Sequence, residues 1–142
     1  MKKHLLEAAN RGDAEAQFNL GIMYKNGLDD SRYFAEGNRP EAVRWLLAAA
    51  EQGLPRAQIK LAEMYADEPD MAESSVKACG WFLLATTNLR GAHLQSAQSA
   101  YRRACAGLTP AEIEQARSFV QSWRPSQPIG AAVLEREDAR DQ

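Results

Sequence analysis

Thiols, imidazoles and long apolar runs are scarce in this 142-residue sequence, and each shortage removes a class of function. There are two cysteines and two histidines, with no Cys-x-x-Cys and no His-Glu-x-x-His, so the usual signatures of structural zinc sites and zinc peptidases are missing. No Gly-x-Ser-x-Gly, phosphate-cradling glycine loop or Gly-x-Gly-x-x-Gly occurs, which removes sequence support for a hydrolase elbow or a nucleotide site. The acidic pairs Asp29-Asp30 and Asp67-Glu68 fall in turn-like stretches without a neighbouring base, and Asp29-Asp30-Ser31 fails the calcium-loop spacing. No catalytic residue, cofactor or metal is expected.

The longest apolar run, Trp45 to Ala50, is far short of the roughly 18 to 20 residues of a membrane span. Glu7 and Asn10 interrupt the apolar residues that follow Lys2 and Lys3, so the stretch does not read as a secretory leader. The cytoplasm is the expected location, with the periplasm as the alternative if a leader has been removed. Cys79 and Cys105 are expected as small buried thiols, since free cysteine behaves as a small apolar residue. A bridge would require their Cα atoms to lie within about 7 Å, which the sequence leaves open.

Excess positive charge is also lacking. Seventeen basic residues face nineteen acidic ones for a net charge of -2, so no field is present to hold a phosphate backbone, and nucleic acid is not an expected partner. Valine, isoleucine and threonine together number 11, against 25 alanines. That balance argues against a sheet and for closely packed helices, hence an all-α chain.

The sequence repeats itself. Leu5-Leu6-x-Ala8-Ala9-x-x-Gly12-x-x-x-Ala16-Gln17-x-x-Leu20-x-x-Met23-Tyr24 recurs from Leu46 to Tyr65 with every match displaced by 41 positions. A third, partial copy begins at Ala78, where Ala78-x-x-Trp81 matches Ala42-x-x-Trp45. The stretch between tyrosine and alanine shortens from the first copy to the second while the helical patterns persist, as expected of stacked helix pairs. The spacing predicts helices over 2–11, 14–26, 39–52, 56–67, 72–90, 93–106 and 110–124. Asp13 is placed to cap the second, and Asn38-x-x-Glu41 and Asp70-x-x-Glu73 resemble capping boxes. Gly53 is expected to close one helix, Pro55 to open the next, and Thr109-Pro110-Ala111-Glu112 to start the last. Residues 1–124 are therefore read as one helical-repeat domain, and 125–142 as a frayed acidic tail whose four carboxylates and two arginines account for the net charge.

Ala16, Leu20, Gly21, Tyr24 and Gly27, followed by Ala42, Trp45, Ala49, Ala50 and Gly53, resemble the Sel-one-like repeat, a relative of the tetratricopeptide repeat. The second copy departs from it, with Ala62 at the first glycine position and Gly80 before Trp81. The resemblance implies a short right-handed α-solenoid of antiparallel helix pairs with a C-terminal capping helix. It also implies a non-catalytic scaffold or adaptor of the kind found in bacterial regulatory or envelope-associated assemblies, holding a protein or peptide on the concave face. Groove positions carried over from tetratricopeptide packing are Glu15, Phe18, Asn19, Ile22 and Lys25, then Arg56, Ile59, Lys60 and Glu63, with Gln98 and Arg102 from a third helix. The long turn from Gly27 to Asn38 adds Tyr33 and Phe34 as aromatic anchors. Two other readings stand beside this one. One is a cell-wall-binding, carbohydrate-binding or hydrolase-like role, as in cysteine-rich secreted relatives, which a Cys79–Cys105 bridge would favour. The other is weak self-association as a structural subunit.

Overall fold

The computed structural model describes residues 2–26, 39–67 and 72–126. Among them the regular elements are seven α-helices and no strand: α1 (Lys2–Asn10), α2 (Ala14–Asn26), α3 (Arg39–Glu51), α4 (Pro55–Ala66), α5 (Ala72–Thr86), α6 (Gly91–Cys105) and α7 (Pro110–Ser122). Tyr33, Phe34 and the two capping residues Asn38 and Asp70 lie outside the described residues, as does the chain after Ser126.

The chain divides into two compact units, residues 55–124 forming one and the flanking stretches the other. In the first, α1 packs on α2 and α2 on α3. Its core is Ala9, Ala16, Leu20 and Trp45, with Leu5, Ala8, Met23 and Tyr24 packed around them. Asp13 caps α2 by accepting from the Ala16 amide at 3.1 Å, satisfying one of the amides that a helix start leaves without a partner. Gly21 is buried, and a Cβ placed there would lie 2.6 Å from Leu46 Cγ, so the absent side chain is what lets α2 and α3 approach.

Two turns show the repeat in their geometry. The Gly12 amide donates to Ala9 O and the Asp13 amide to Ala8 O; the Gly53 amide donates to Ala50 O and the Leu54 amide to Ala49 O. Both glycines stand at φ 99, the positive-φ helix ending in which glycine carries no steric penalty.

Gln17 adds a polar ladder to this unit. Only 7% exposed, it donates from Nε2 to Ala9 O at 3.0 Å and accepts at Oε1 from Gln52 Nε2 at 2.8 Å. Replacing Gln17 by alanine removes both bonds from a buried position and is expected to cost about 1 to 2 kcal/mol, read as a lowered midpoint in urea. An unchanged midpoint would show the ladder to be energetically idle.

In the second unit α4 packs on α5, and α5 packs on both α6 and α7. Thr109 Oγ1 accepts from the Glu112 amide, and Glu112 Oε1 accepts from the Thr109 amide, so the capping box expected from the sequence forms. Helix α7 seats Phe119 against α5: a Cβ at Gly80 would lie 2.9 Å from its ring, and the Trp81 and Phe119 rings meet edge to face at 5.0 Å.

Two expectations need correction here. Cys79 and Cys105 are not separate thiols but a disulfide joining α5 to α6, with Cα atoms 5.2 Å apart. Both cysteines are buried, as expected, and burial on facing helices brings them within bridging distance. The fifth helix ends at Thr86 rather than near 90, because the hydroxyls of Thr86 and Thr87 turn back on the carbonyls of Leu83 and Leu84 and the chain closes in a tight turn. Helix α6 then starts at Gly91, itself at φ +62.

Candidate functional site

The positions expected to face a partner are distributed over both units. On α2, Glu15, Asn19 and Lys25 are exposed, and Phe18 and Ile22 are half-buried. On α4, Arg56 is exposed and Ile59, Lys60 and Glu63 are half-buried, with Lys60 Nζ 3.3 Å from Glu63 Oε2. On α6, Gln98 and Arg102 are exposed. The repeated positions behave differently. Ala16 and Ala57, Leu20 and Leu61, Gln17 and Gln58, and Trp45 and Trp81 are all buried, so the repeat signature describes packing.

A cavity is present in each unit. That of the first, about 380 Å³, is lined by Gln17, Trp45, Ala48 and Gln52 among others and is reached by Ser126. The Ser126 amide donates to Glu51 O at 2.7 Å, and the two glutamines are engaged with each other, so much of its polar lining is already used by the chain.

The cavity of the second unit is larger, about 580 Å³, and four helices build it. Glu63, Ala66 and Asp67 come from α4 and the residue after it; Ser75, Ala78 and Phe82 from α5; Ala100, Arg103 and Ala104 from α6; Gly107, Leu108 and Glu112 from the following turn and α7. The apolar part of the lining is mostly alanine, with Ala78 and Phe82 buried and Ala66 exposed. The rim is charged. Glu63 pairs with Lys60 across 3.3 Å and Glu112 is held in the capping box. Asp67 and Arg103 are both exposed and make no ion pair among the described residues. Two lining residues, Ala78 and Ala104, immediately precede the bridged Cys79 and Cys105 in the chain.

Of the positions expected from the sequence, Glu63 lines this cavity and the other described ones do not; on α6 the lining arginine is Arg103, next to the expected Arg102. The missed residues carry a weak signal, the spacing of Ala97, Ala100 and Ala104 along one face of α6. That spacing is equally the pattern of a packing stripe. Among the described residues no three His, Cys, Asp or Glu side chains come together to hold a metal ion, and no helix is long and apolar enough to cross a membrane.

The chain matches the family model of the Sel1 repeat over residues 14–54 and again over 55–88, together more than half its length. The boundary between the two matches coincides with that between the two units. Over 88 residues, 62% of the chain, it is 35% identical to the mouse protein DAP3-binding cell death enhancer 1, covering 14% of that relative's length.

Proposed function

Because the chain belongs to the Sel1 repeat proteins, whose repeats are generally protein–protein interaction modules, we propose that it is a non-catalytic adaptor that holds a segment of a partner protein in the cavity of its second unit. The observation that carries this reading is a groove of about 580 Å³ in which alanines, Phe82 and Leu108 stand beside the charged side chains of Glu63, Asp67, Arg103 and Glu112. Apolar recesses edged by charge are how helical surfaces take partner segments. The name of the mouse relative, which records binding to DAP3, is in keeping with a partner-binding role. The α2 face with Phe18 and Ile22 is a further contact surface on the first unit.

The disulfide supports an oxidising compartment, where such bridges persist. It thereby favours an exported protein over the cytoplasmic one expected from the sequence, and gives the cell-wall-binding reading a specific observation. The groove itself, with one phenylalanine buried in its floor, is better suited to aliphatic side chains.

Photo-crosslinking tests the site. A benzophenone amino acid at Ala100, on the groove wall, is expected to yield adducts with a partner protein in the native host. The same probe at Ser99, exposed and outside the lining, is expected to yield few. Equal labelling from both positions would overturn the assignment.

A further inference from the structure

We infer that the cavity of the first unit is a docking site for the chain's own residues 129–134, whose backbone accepts a hydrogen bond from the Trp45 indole. The groove of the second unit plays no part in this. Of the polar groups around the cavity, nearly all are already engaged. Gln17 donates to Ala9 O and accepts from Gln52. Arg44 is paired with Glu41 at 3.2 Å and lies over the Trp45 ring at 5.1 Å. The Ser126 amide is held by Glu51 O, and Asn10 and Glu51 are exposed to water. The N–H of Trp45 is what remains. This residue lines the cavity and is 6% exposed, and its Nε1 is buried with no acceptor among the described residues. A buried indole N–H ordinarily has a partner, because giving up water without a replacement costs the group its full desolvation. The cavity therefore calls for a neutral acceptor such as a peptide carbonyl, and its charges are too well matched to call for an ion.

Connectivity selects the occupant. Ser126 itself lines the cavity and its amide is fixed there at 2.7 Å, so the residues after it start at the cavity's edge. They include Ile129-Gly130-Ala131-Ala132-Val133-Leu134, a run with no charge and no polar side chain, before Glu135-Arg136-Glu137-Asp138 restores the charge. Such a run gains by leaving water. Its side chains ask nothing of the engaged polar lining, while each of its peptide units offers a carbonyl. Glycine and alanine at 130–132 allow the backbone to come close to the indole, and Ile129, Val133 and Leu134 supply apolar area on either side. A short tether holds the segment at an effective concentration in the millimolar range, so even a weak contact is populated. The volume of about 380 Å³ is within the range of cavities that take a ligand.

Nuclear magnetic resonance of the isotope-labelled full chain tests this through its indole N–H signals. There are three tryptophans, and Trp45→Phe identifies the signal of interest. Ile129→Asp combined with Leu134→Asp should move the Trp45 signal and speed the exchange of its N–H with water by about tenfold, the factor that one ordinary hydrogen bond is worth. The Trp81 signal, from the second unit, should stay in place and so report that the fold is kept. Where it moves as well, the milder Leu134→Ser replaces the double variant under the same criteria. A synthetic peptide of residues 127–142, added to the variant at millimolar concentration, should return the Trp45 signal to its parent position, and the same peptide carrying both aspartates should not. In the Trp45→Phe chain the amides of residues 130–134 should exchange about tenfold faster than in the parent. A Trp45 signal indifferent to the substitutions, one that the parent peptide fails to restore, or unchanged exchange at 130–134 in Trp45→Phe would each overturn the assignment.

Discussion

Replacing Cys79 and Cys105 together by serine is expected to destabilise the second unit by about 3.5 kcal/mol, the chain-entropy value for a bridge of this span. The two residues are 26 positions apart, and that loop contains the whole of α6. The bridge matters more here than the general value suggests, because within α6 only Ala97 and Cys105 are buried. Helix α7 does not share this dependence. It is seated on α5 by Phe119 against Trp81 and Gly80 and by the buried Ala116. Thermal unfolding should therefore shift down by roughly 15 to 30 °C for a unit of this size. Hydrogen exchange should rise first in α6 and much less in α7. A dithiol reductant should produce the same change in the native chain and none in the double variant. Alkylation without prior reduction should leave both cysteines unlabelled. Labelled cysteines, or a melting temperature unmoved by reduction, would sink the account.

The second large effect is expected at Gly21. A side chain there meets Leu46 Cγ at 2.6 Å, Leu46 Cδ2 at 2.8 Å and Ala42 O at 3.3 Å. Leu46 is 0% exposed, so its side chain has nowhere to swing and α2 must move off α3. Gly21→Val should cost about 3 kcal/mol, at the upper end for an overpacked core. Gly21→Ala should cost less, since alanine recovers about 1 kcal/mol of helix propensity. Adding Leu46→Ala should make the valine variant less unstable than the sum of the two single changes, because the residues share one space. Denaturant midpoints of the four proteins decide the matter. A Gly21→Val chain as stable as the parent would mean that Gly21 is not what sets the close approach of α2 and α3.

The repeated helices were legible in the sequence because their signals are local. A glutamine, a leucine and an alanine at fixed spacing mark the buried face of α2 and again of α4, and a threonine, a proline and a glutamate announce α7. The break between α5 and α6 was harder, since Thr86 and Thr87 end the helix through hydroxyl bonds back to carbonyls rather than through glycine or proline. The disulfide and the groove were not legible, and for the same reason. Cys79 meets Cys105, and Glu63 comes beside Ala78 and Leu108, only once helices remote in sequence have packed. The residues that make the recess are mostly alanines, whose pattern along a helix is the same whether a neighbouring helix or a foreign side chain fills the space beside them. Of the positions carried over from tetratricopeptide packing, Glu63 lines the recess, and Arg102 stands next in the chain to Arg103, which lines it.

The paired glycine turns have an evolutionary consequence. Gly12 and Gly53 end their helices with the same positive φ and the same two backbone hydrogen bonds, so a crossover between them joins strands of coding sequence whose products already share a conformation at the cut. One whole repeat could be gained or lost in a single recombination event, without a new joint having to be invented. Chain length in such a lineage is then set by counting copies rather than by redesigning the turns between them.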